Sequence, residues 1–346
     1  MTKINRQWRL KTRPEGMVDT SNFDWVEEEL GALPEDSVRV RSVYLSLDPT
    51  QRGWMRAQRG YRDPIGIGEV IVGSGVGIVD ESTHGAYKEG DIVVGMLGWQ
   101  DYATFTGKGV DSLTQVQPMD GVPLHYYLGV LGFIGMTAYF GLLDIGDPKE
   151  GETVVVSAAA GATGSLVAQI AKIKGCRVIG IAGSDEKCAW LTDDLGLDGA
   201  INYKTEDVFA RMRELCPDGI DVYFDNVGGD ILNAALALIN NYARIVACGM
   251  ISMYNAEAPV PGPSNIVNLI VRRAKMEGFI VLDYFPRAME AIMPLGQWLM
   301  SGQIQFRSDV VDGLENTIDT YNRLFTGENF GKLIMKVADD PMTEAK

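Results

Sequence analysis

The chain has 346 residues and a formal net charge of −15. That length exceeds the usual size of one hydrophobic core, so two domains are expected. The acidic balance argues against nucleic acid or an anionic membrane as the main partner, because phosphate would repel it.

No apolar stretch is long enough to span a bilayer, and the opening MTKINRQWRLKTRPEG lacks the apolar core of a signal peptide, so cytoplasmic residence is the expectation. Cys176, Cys188, Cys216 and Cys248 show no CxxC spacing and read as reduced structural thiols. His84 and His125 are the only histidines and neither sits in a ligand pattern. A catalytic zinc needs about three suitable ligands, so no metal is expected.

In chain order, Val38 to Leu47 (VRVRSVYLSL) alternates as a strand and runs into Asp48-Pro49. Gly68 to Val79 reads as a glycine-interrupted strand pair, and Asp91 to Gly95 and Gly98 to Thr106 as further short strands. Such a run predicts a small barrel-like β domain, although each glycine also serves as ordinary turn chemistry. From Leu128 the composition changes. Gly129 to Leu143 is apolar and helical in pattern, either a helix crossing between domains or a plain core helix.

A regular βα rhythm follows. Strands are predicted at 153–157, 177–182, 199–203, 220–225 and 243–249, with helices at 186–195, 206–215 and 229–239 between the later ones. Helix 265–274 and strand 276–282 complete a sixth βα step. This alternation predicts an α/β Rossmann fold, a doubly wound parallel six-stranded sheet. The tail from Gln303 returns to β character, with a helix at 315–326 and a strand at 331–337. A last strand with no place in that sheet is expected to pair with the N-terminal domain. The division is then 1–128 with 303–346 as the β domain and 129–302 as the dinucleotide-binding domain.

The chemistry centres on TVVVSAAAGATG, Thr153 to Gly164. A buried Val-rich strand, a small-residue turn and a helix form the unit that holds a pyrophosphate on free helix N–H groups. Ala159 stands at the first glycine position of that fingerprint, Gly161 at the second and Gly164 at the third. At the end of the next strand come Gly183 and Ser184, with Lys187 beyond. Small residues leave room for a 2′-phosphate and the lysine supplies charge, which favours NADPH. Two alternatives stay open: Asp185 binds a ribose as in NAD enzymes, or Ser184 or Asp185 only caps the helix while Lys187 is solvated.

Motifs along nearly the whole chain carry a further signal: YLSLDP (Tyr44 to Pro49), VGSGVG (Val72 to Gly77), GWQDY (Gly98 to Tyr102), the glycine-rich helix from Gly132 to Gly146, GSDEK (Gly183 to Lys187), DNVGG (Asp225 to Gly229), YNA (Tyr254 to Ala256) and ENFGK (Glu328 to Lys332). Their order resembles the zinc-independent leukotriene B4 dehydrogenase/prostaglandin reductase family of the medium-chain dehydrogenase/reductases, and within it the bacterial NADPH-dependent curcumin reductases. The resemblance implies a GroES-like β domain and residue roles. Gly161, Ala162, Thr163 and Gly164 would hold the pyrophosphate, Lys187 and Tyr203 the 2′-phosphate, and Asn226 the nicotinamide-side ribose. Cys248, Gly249, Met250, Ile251, Ser252 and Tyr254 would line the nicotinamide. Phe279, Ile280 and Val281 would offer backbone groups to the carboxamide, and Asn329 would close over the cofactor.

The implied activity is reduction of a carbon–carbon double bond conjugated to a carbonyl, with Tyr254 as oxyanion donor or proton source. Thr50, Phe133 and Tyr254 would border the substrate. At Thr50-Gln51 and Phe133-Ile134 the chain departs from many family members, which leaves the substrate within the enone and enal class. A quinone oxidoreductase and an NADPH-binding protein without catalysis are the competing readings. The edge strand 276–282 is expected to be a homodimer seam.

Overall fold

The computed structural model describes residues 3–342. The chain divides into two compact units: one runs through Leu128 and takes in Asp309–Glu328 and the residues from Leu333 on, and the other comprises Gly129–Ser308 and Asn329–Lys332.

In the first unit, β1 (Ile4–Leu10) and β2 (Phe23–Glu29) form an antiparallel hairpin. Then follow β3 (Ser37–Ser46), the short α1 (Gln51–Trp54), β4 (Gly75–Ser82), β5 (Ile92–Gly95), β6 (Tyr102–Thr106) and β7 (Thr114–Gln115). The predicted pair at Gly68 to Val79 is a single strand, β4, preceded by irregular backbone. The backbone before β4 is taken by other partners. Ile71 N donates to Trp8 O, Trp99 N donates to Ile71 O, and the Gln51 amide donates to Val72 O.

In the second unit, Gly132 caps α2 (Phe133–Phe140), which runs into a π-type turn over Gly141–Gly146. The predicted helix thus starts four residues later than its apolar pattern. The βα series is β8 (Thr153–Val156), α3 (Ala162–Ile173), β9 (Arg177–Ala182), α4 (Asp185–Ala189), β10 (Gly199–Asn202), α5 (Val208–Leu215), β11 (Ile220–Asp225), α6 (Gly229–Leu238) and β12 (Ile239–Ala247). The expected helix over 265–274 is only a 3-10 turn and α7 (Asn268–Val271). Here the side chains of Asn265 and Asn268 donate to carbonyls of α6, at 2.9 and 3.0 Å, a competition that weakens helix formation.

The expected strand 276–282 is β13 (Lys275–Gly278), followed by a 3-10 stretch, Val281–Arg287, that contains Pro286. The 13-residue α8 (Ala288–Met300) has no counterpart among the sequence expectations, because Pro294 interrupts its pattern; Ala291 and Leu295 nevertheless anchor it in the core. The six strands lie in the order β10-β9-β8-β11-β12-β13 and every pairing is parallel. That is the doubly wound arrangement, in which ligands bind beyond the carboxyl ends of the strands.

The chain closes with β14 (Ser308–Asp312), α9 (Thr317–Thr326) and β15 (Lys332–Lys336). The last strand pairs antiparallel with β3, Ile334 opposite Ser46, and the larger sheet runs β14-β15-β3-β4-β5-β7, with β6 also on β3. Trp8, Phe23, Trp99 and Tyr321 dominate the core beside it, and Trp8 Nε1 donates to Leu314 O at 2.9 Å.

Gln51 is fully buried and ties the Asp48-Pro49 turn down: Asp48 N donates to its Oε1 at 3.0 Å, and its Nε2 donates to Ser46 O and Val72 O. A Cβ at Gly73 would stand 2.4 Å from that nitrogen. Gln51 is therefore a brace inside the first unit. Replacing Gln51 with Ala strands one buried and two part-buried backbone groups and is predicted to lower stability by about 2 kcal/mol, read as a fall in the thermal midpoint; an unchanged midpoint contradicts the assignment.

Candidate cofactor and active site

The turn after β8 is built by close contact. Ala158 takes a left-handed φ of 48°, and Gly161 N donates to Ala158 O at 2.9 Å. A Cβ on Gly164 would meet that same oxygen at 2.3 Å, so only glycine lets the first turn of α3 lie against the strand end. Gly161 is the N-cap and supplies no side chain to the first-turn N–H groups. The N-terminus of a 12-residue helix is thereby left to an anion. Ala159, at the first glycine position, is fully buried against Gly180, where a Cβ would come within 2.9 Å of its own. The cradle therefore fits a pyrophosphate.

A chain segment far along the sequence covers this turn. Gly331 N donates to Ala160 O at 3.0 Å, and Gly161 and Gly331 form an isolated parallel bridge. Gly331 has φ of 75°, and a Cβ there would strike Arg307 O at 2.2 Å. Asn329 thus lies beside the turn, and its amide donates to Gly331 O at 3.1 Å.

At the end of β9, Gly183 packs under Tyr203, whose ring would be 2.9 Å from an added Cβ. Ser184 Oγ accepts from Lys187 N at 3.2 Å, so Ser184 does cap α4. Asp185 Oδ1 accepts from Asn202 Nδ2 at 2.7 Å and is held by that neighbour. Lys187 is not a solvated surface lysine: it is 9% exposed, and its ammonium lies 5.9 Å from the centre of the Phe330 ring. Tyr203 is 41% exposed. The space over Gly183 is taken by the Tyr203 ring rather than left open; the buried cation and the exposed phenol are what suit a 2′-phosphate.

Beyond β11 a buried polar hub fixes the next loop. Asp225 is fully buried, and its Oδ1 accepts from Ser157 Oγ, Tyr223 Oη, Val227 N and Gly228 N at 2.9–3.1 Å. Burial pushes its carboxyl pKa up, opposed by those hydrogen bonds. Ser157 Oγ also accepts from Asn226 N, and Asn226 Nδ2 donates to Ser157 O, both at 2.8 Å. Asn226 is thus oriented from two sides, with one of its two side-chain N–H donors committed to Ser157 O. Ser157, Tyr223 and Asp225 were not singled out as site residues from sequence; the aspartate ending β11 inside DNVGG is a signal for Asp225 alone.

The segment from Cys248 to Tyr254 folds back on this hub. Cys248 N and Gly249 N donate to Asp225 O, Ile251 N to Asn226 O, and Ser252 N to Val227 O. Tyr254 Oη accepts from Met250 N at 3.3 Å. Phe279 to Val281 lie just past the carboxyl end of β13, with Phe279 packed at Gly141. Phe133 faces Phe285, ring centres 5.8 Å apart. Thr50 belongs to the first unit, where its hydroxyl meets Tyr61 Oη at 2.5 Å. The structure gathers Gly161 to Gly164 with Asn329, Tyr203 with Gly183, and Asn226 with Gly249 to Ser252.

All four cysteines are free thiols. Burial raises Cys176, Cys188 and Cys216 to about 11 and Cys248 to about 12. Thiolate therefore appears only well above neutral pH, and iodoacetamide at pH 7.5 is predicted to label the folded protein far more slowly than the unfolded chain. Rapid native labelling of Cys248 would contradict this environment. Gly164→Ala is predicted to abolish measurable dinucleotide binding, because the turn must open to admit the methyl group; calorimetric titration of the folded variant checks it.

Two family models match the chain, one described as the N-terminal domain of oxidoreductase over residues 6–113 and one as zinc-binding dehydrogenase over residues 162–297. Among the described residues no group of three or more His, Cys, Asp or Glu is placed to hold a metal ion. The chain is 44% identical to the NADPH-dependent curcumin reductase of Escherichia coli over 97% of its own length and 98% of the relative's. It is also 44% identical to the NADP(+)-dependent 2-alkenal reductase of Nicotiana tabacum, over 88% and 89%. The crystal structure of CurA from Vibrio vulnificus in complex with NADPH superposes with a TM-score of 0.90 at 43% identity, covering 97% of this chain and all of that one. The chain therefore belongs to the leukotriene B4 dehydrogenase/prostaglandin reductase family of medium-chain dehydrogenase/reductases.

Proposed function

We propose that the chain is an NADPH-dependent reductase of the carbon–carbon double bond of α,β-unsaturated carbonyl compounds, enones and enals, with curcumin-like enones within its range. The observation that carries this reading is near full-length similarity to reductases named for NADPH, curcumin and 2-alkenals. The cradle at Gly161 and Gly164 and the buried Lys187 support the cofactor independently of the names.

Gly161 to Gly164 hold the pyrophosphate on the N-terminus of α3, and Lys187 with Tyr203 takes the 2′-phosphate. Asn226, set by Ser157, meets the ribose beside the nicotinamide. Cys248 to Tyr254 and the backbone of Phe279 to Val281 form the nicotinamide site, and Asn329 closes over the cofactor. Within the second unit, Phe133 and Tyr254 border the substrate.

Bound NADPH supplies the hydride, which adds to the β-carbon. As that bond forms, the double-bond electrons move toward the carbonyl and give an enolate, whose α-carbon then takes a proton. Tyr254 donates its hydroxyl hydrogen bond to the enolate oxygen or supplies the proton. Met250 N–H, donating to the phenol oxygen, makes that hydroxyl a better donor. A preorganised oxyanion donor contributes about 3–4 kcal/mol.

The free thiols suit a reducing compartment, and we place the protein in the cytoplasm. We also propose a homodimer through the edge of β13, which among the described residues pairs only with β12 and lies in the same unit as the exposed apolar side chains of Ile270, Phe285 and Met289. A monomeric mass across micromolar concentrations would contradict the dimer.

Oxidation of NADPH and of NADH, followed at the nicotinamide absorbance with an alkenal, a benzylidene ketone, curcumin and a quinone, tests the reading. Enone turnover with NADPH strongly preferred is the predicted result, and turnover of the quinone alone contradicts it. Tyr254→Phe is predicted to slow single-turnover reduction about a hundredfold with cofactor affinity retained; an unchanged rate removes Tyr254 from the chemistry.

A further inference from the structure

The Phe330 ring is a hub that the fingerprint does not explain. Trp190 meets it edge-on at 5.1 Å, the Lys187 ammonium lies 5.9 Å from its centre, and the Arg307 guanidinium lies over it at 3.5 Å. Phe330 immediately precedes Gly331, whose N–H donates to Ala160 O in the glycine turn. Two cations therefore share one aromatic ring beside the anion cradle.

Arg307 is held there from both sides. Gln169 on α3 is 4% exposed and exchanges amide hydrogen bonds with the backbone of Gln305: Nε2 donates to Gln305 O at 3.0 Å, and Gln305 N donates to Oε1 at 2.8 Å. Ile304 and Phe306 are buried, and Lys332 N donates to Arg307 O at 2.9 Å. The side chain itself is exposed and stacked, and among the described residues its guanidinium has no carboxylate partner and no hydrogen bond. A stacked guanidinium keeps its N–H edge open for bidentate contact with an anion.

We propose that Arg307 is a second phosphate-recognition residue, acting with Lys187 on the 2′-phosphate of the adenosine half, and that Phe330 is the platform presenting both cations. This rests on the NADPH reading and extends it, because it assigns part of the preference for NADPH over NADH to a residue more than a hundred positions from the glycine turn. The stem of Arg307 carries no hydrogen bond, so its removal leaves the backbone contact to Lys332 intact.

Adenosine 2′,5′-bisphosphate and 5′-AMP differ only in the 2′-phosphate and involve no hydride chemistry. Calorimetric titration of both into wild type, Arg307→Met, Lys187→Met and Phe330→Leu separates the claims. The expected result is a five- to twentyfold loss of bisphosphate affinity in Arg307→Met with 5′-AMP unchanged, a comparable loss in Lys187→Met, and a smaller one in Phe330→Leu. Bisphosphate affinity equal to wild type in Arg307→Met overturns the proposal while leaving the NADPH reading intact. Equal loss of both ligands also overturns it, because it moves Arg307 to the 5′-phosphate. A wild type that binds the two ligands equally well overturns the NADPH reading and this inference together.

Discussion

The nucleotide-binding unit depends on one contact that admits no side chain. Gly164 lies so close to the Ala158 carbonyl that a single methyl group would stand 2.3 Å from the oxygen. The absence of that methyl lets α3 start directly at the carboxyl end of β8, which is what aims a helix N-terminus at the ligand position. The rest of this unit accommodates the same closeness. Gly180 leaves space for Ala159, Ala158 accepts a left-handed backbone, and the segment Asn329–Lys332 closes on the turn through Gly331, whose positive φ no other residue adopts cheaply.

A second constraint acts one strand over. The Asp225 carboxylate collects four donors on one oxygen at full burial, and that concentration of bonds ties β8, β11 and the loop beyond them into one piece. The Asp225 Oδ2 is buried with no hydrogen-bond partner among the described residues, and a partly satisfied hub costs more than apolar side chains in its place, so its value is positional. It orients Asn226 through Ser157 and anchors Cys248 and Gly249 through its own main chain. Backbone placement then leaves the reacting chemistry largely to the cofactor.

Much of this was legible in the sequence for physical reasons. The Val run at 153–156 and the buried strands beside it have no polar face, so they read as parallel sheet, and their order came out as a doubly wound fold. The last strand, lacking a place in that sheet, does pair with β3. The failures cluster where side chains or proline override local pattern. Pro294 hid α8, Asn265 and Asn268 cut short a predicted helix, and Gln51 took the backbone partners of a predicted strand. Among candidate site residues, the glycines and Lys187 announce themselves by type and position. Ser157, Tyr223, Phe330 and Arg307 do not, because their roles arise from contacts between segments far apart in sequence.

The central claim, hydride addition to the β-carbon of an enone, is tested most directly by following the label. Reduction of a benzylidene ketone with NADPH deuterated at the transferring position of the nicotinamide, and analysis of the product by deuterium NMR, locates the delivered atom. The account predicts deuterium at the β-carbon of a saturated ketone and none elsewhere. Deuterium on a carbinol carbon, with the double bond intact, would show carbonyl reduction and contradict it.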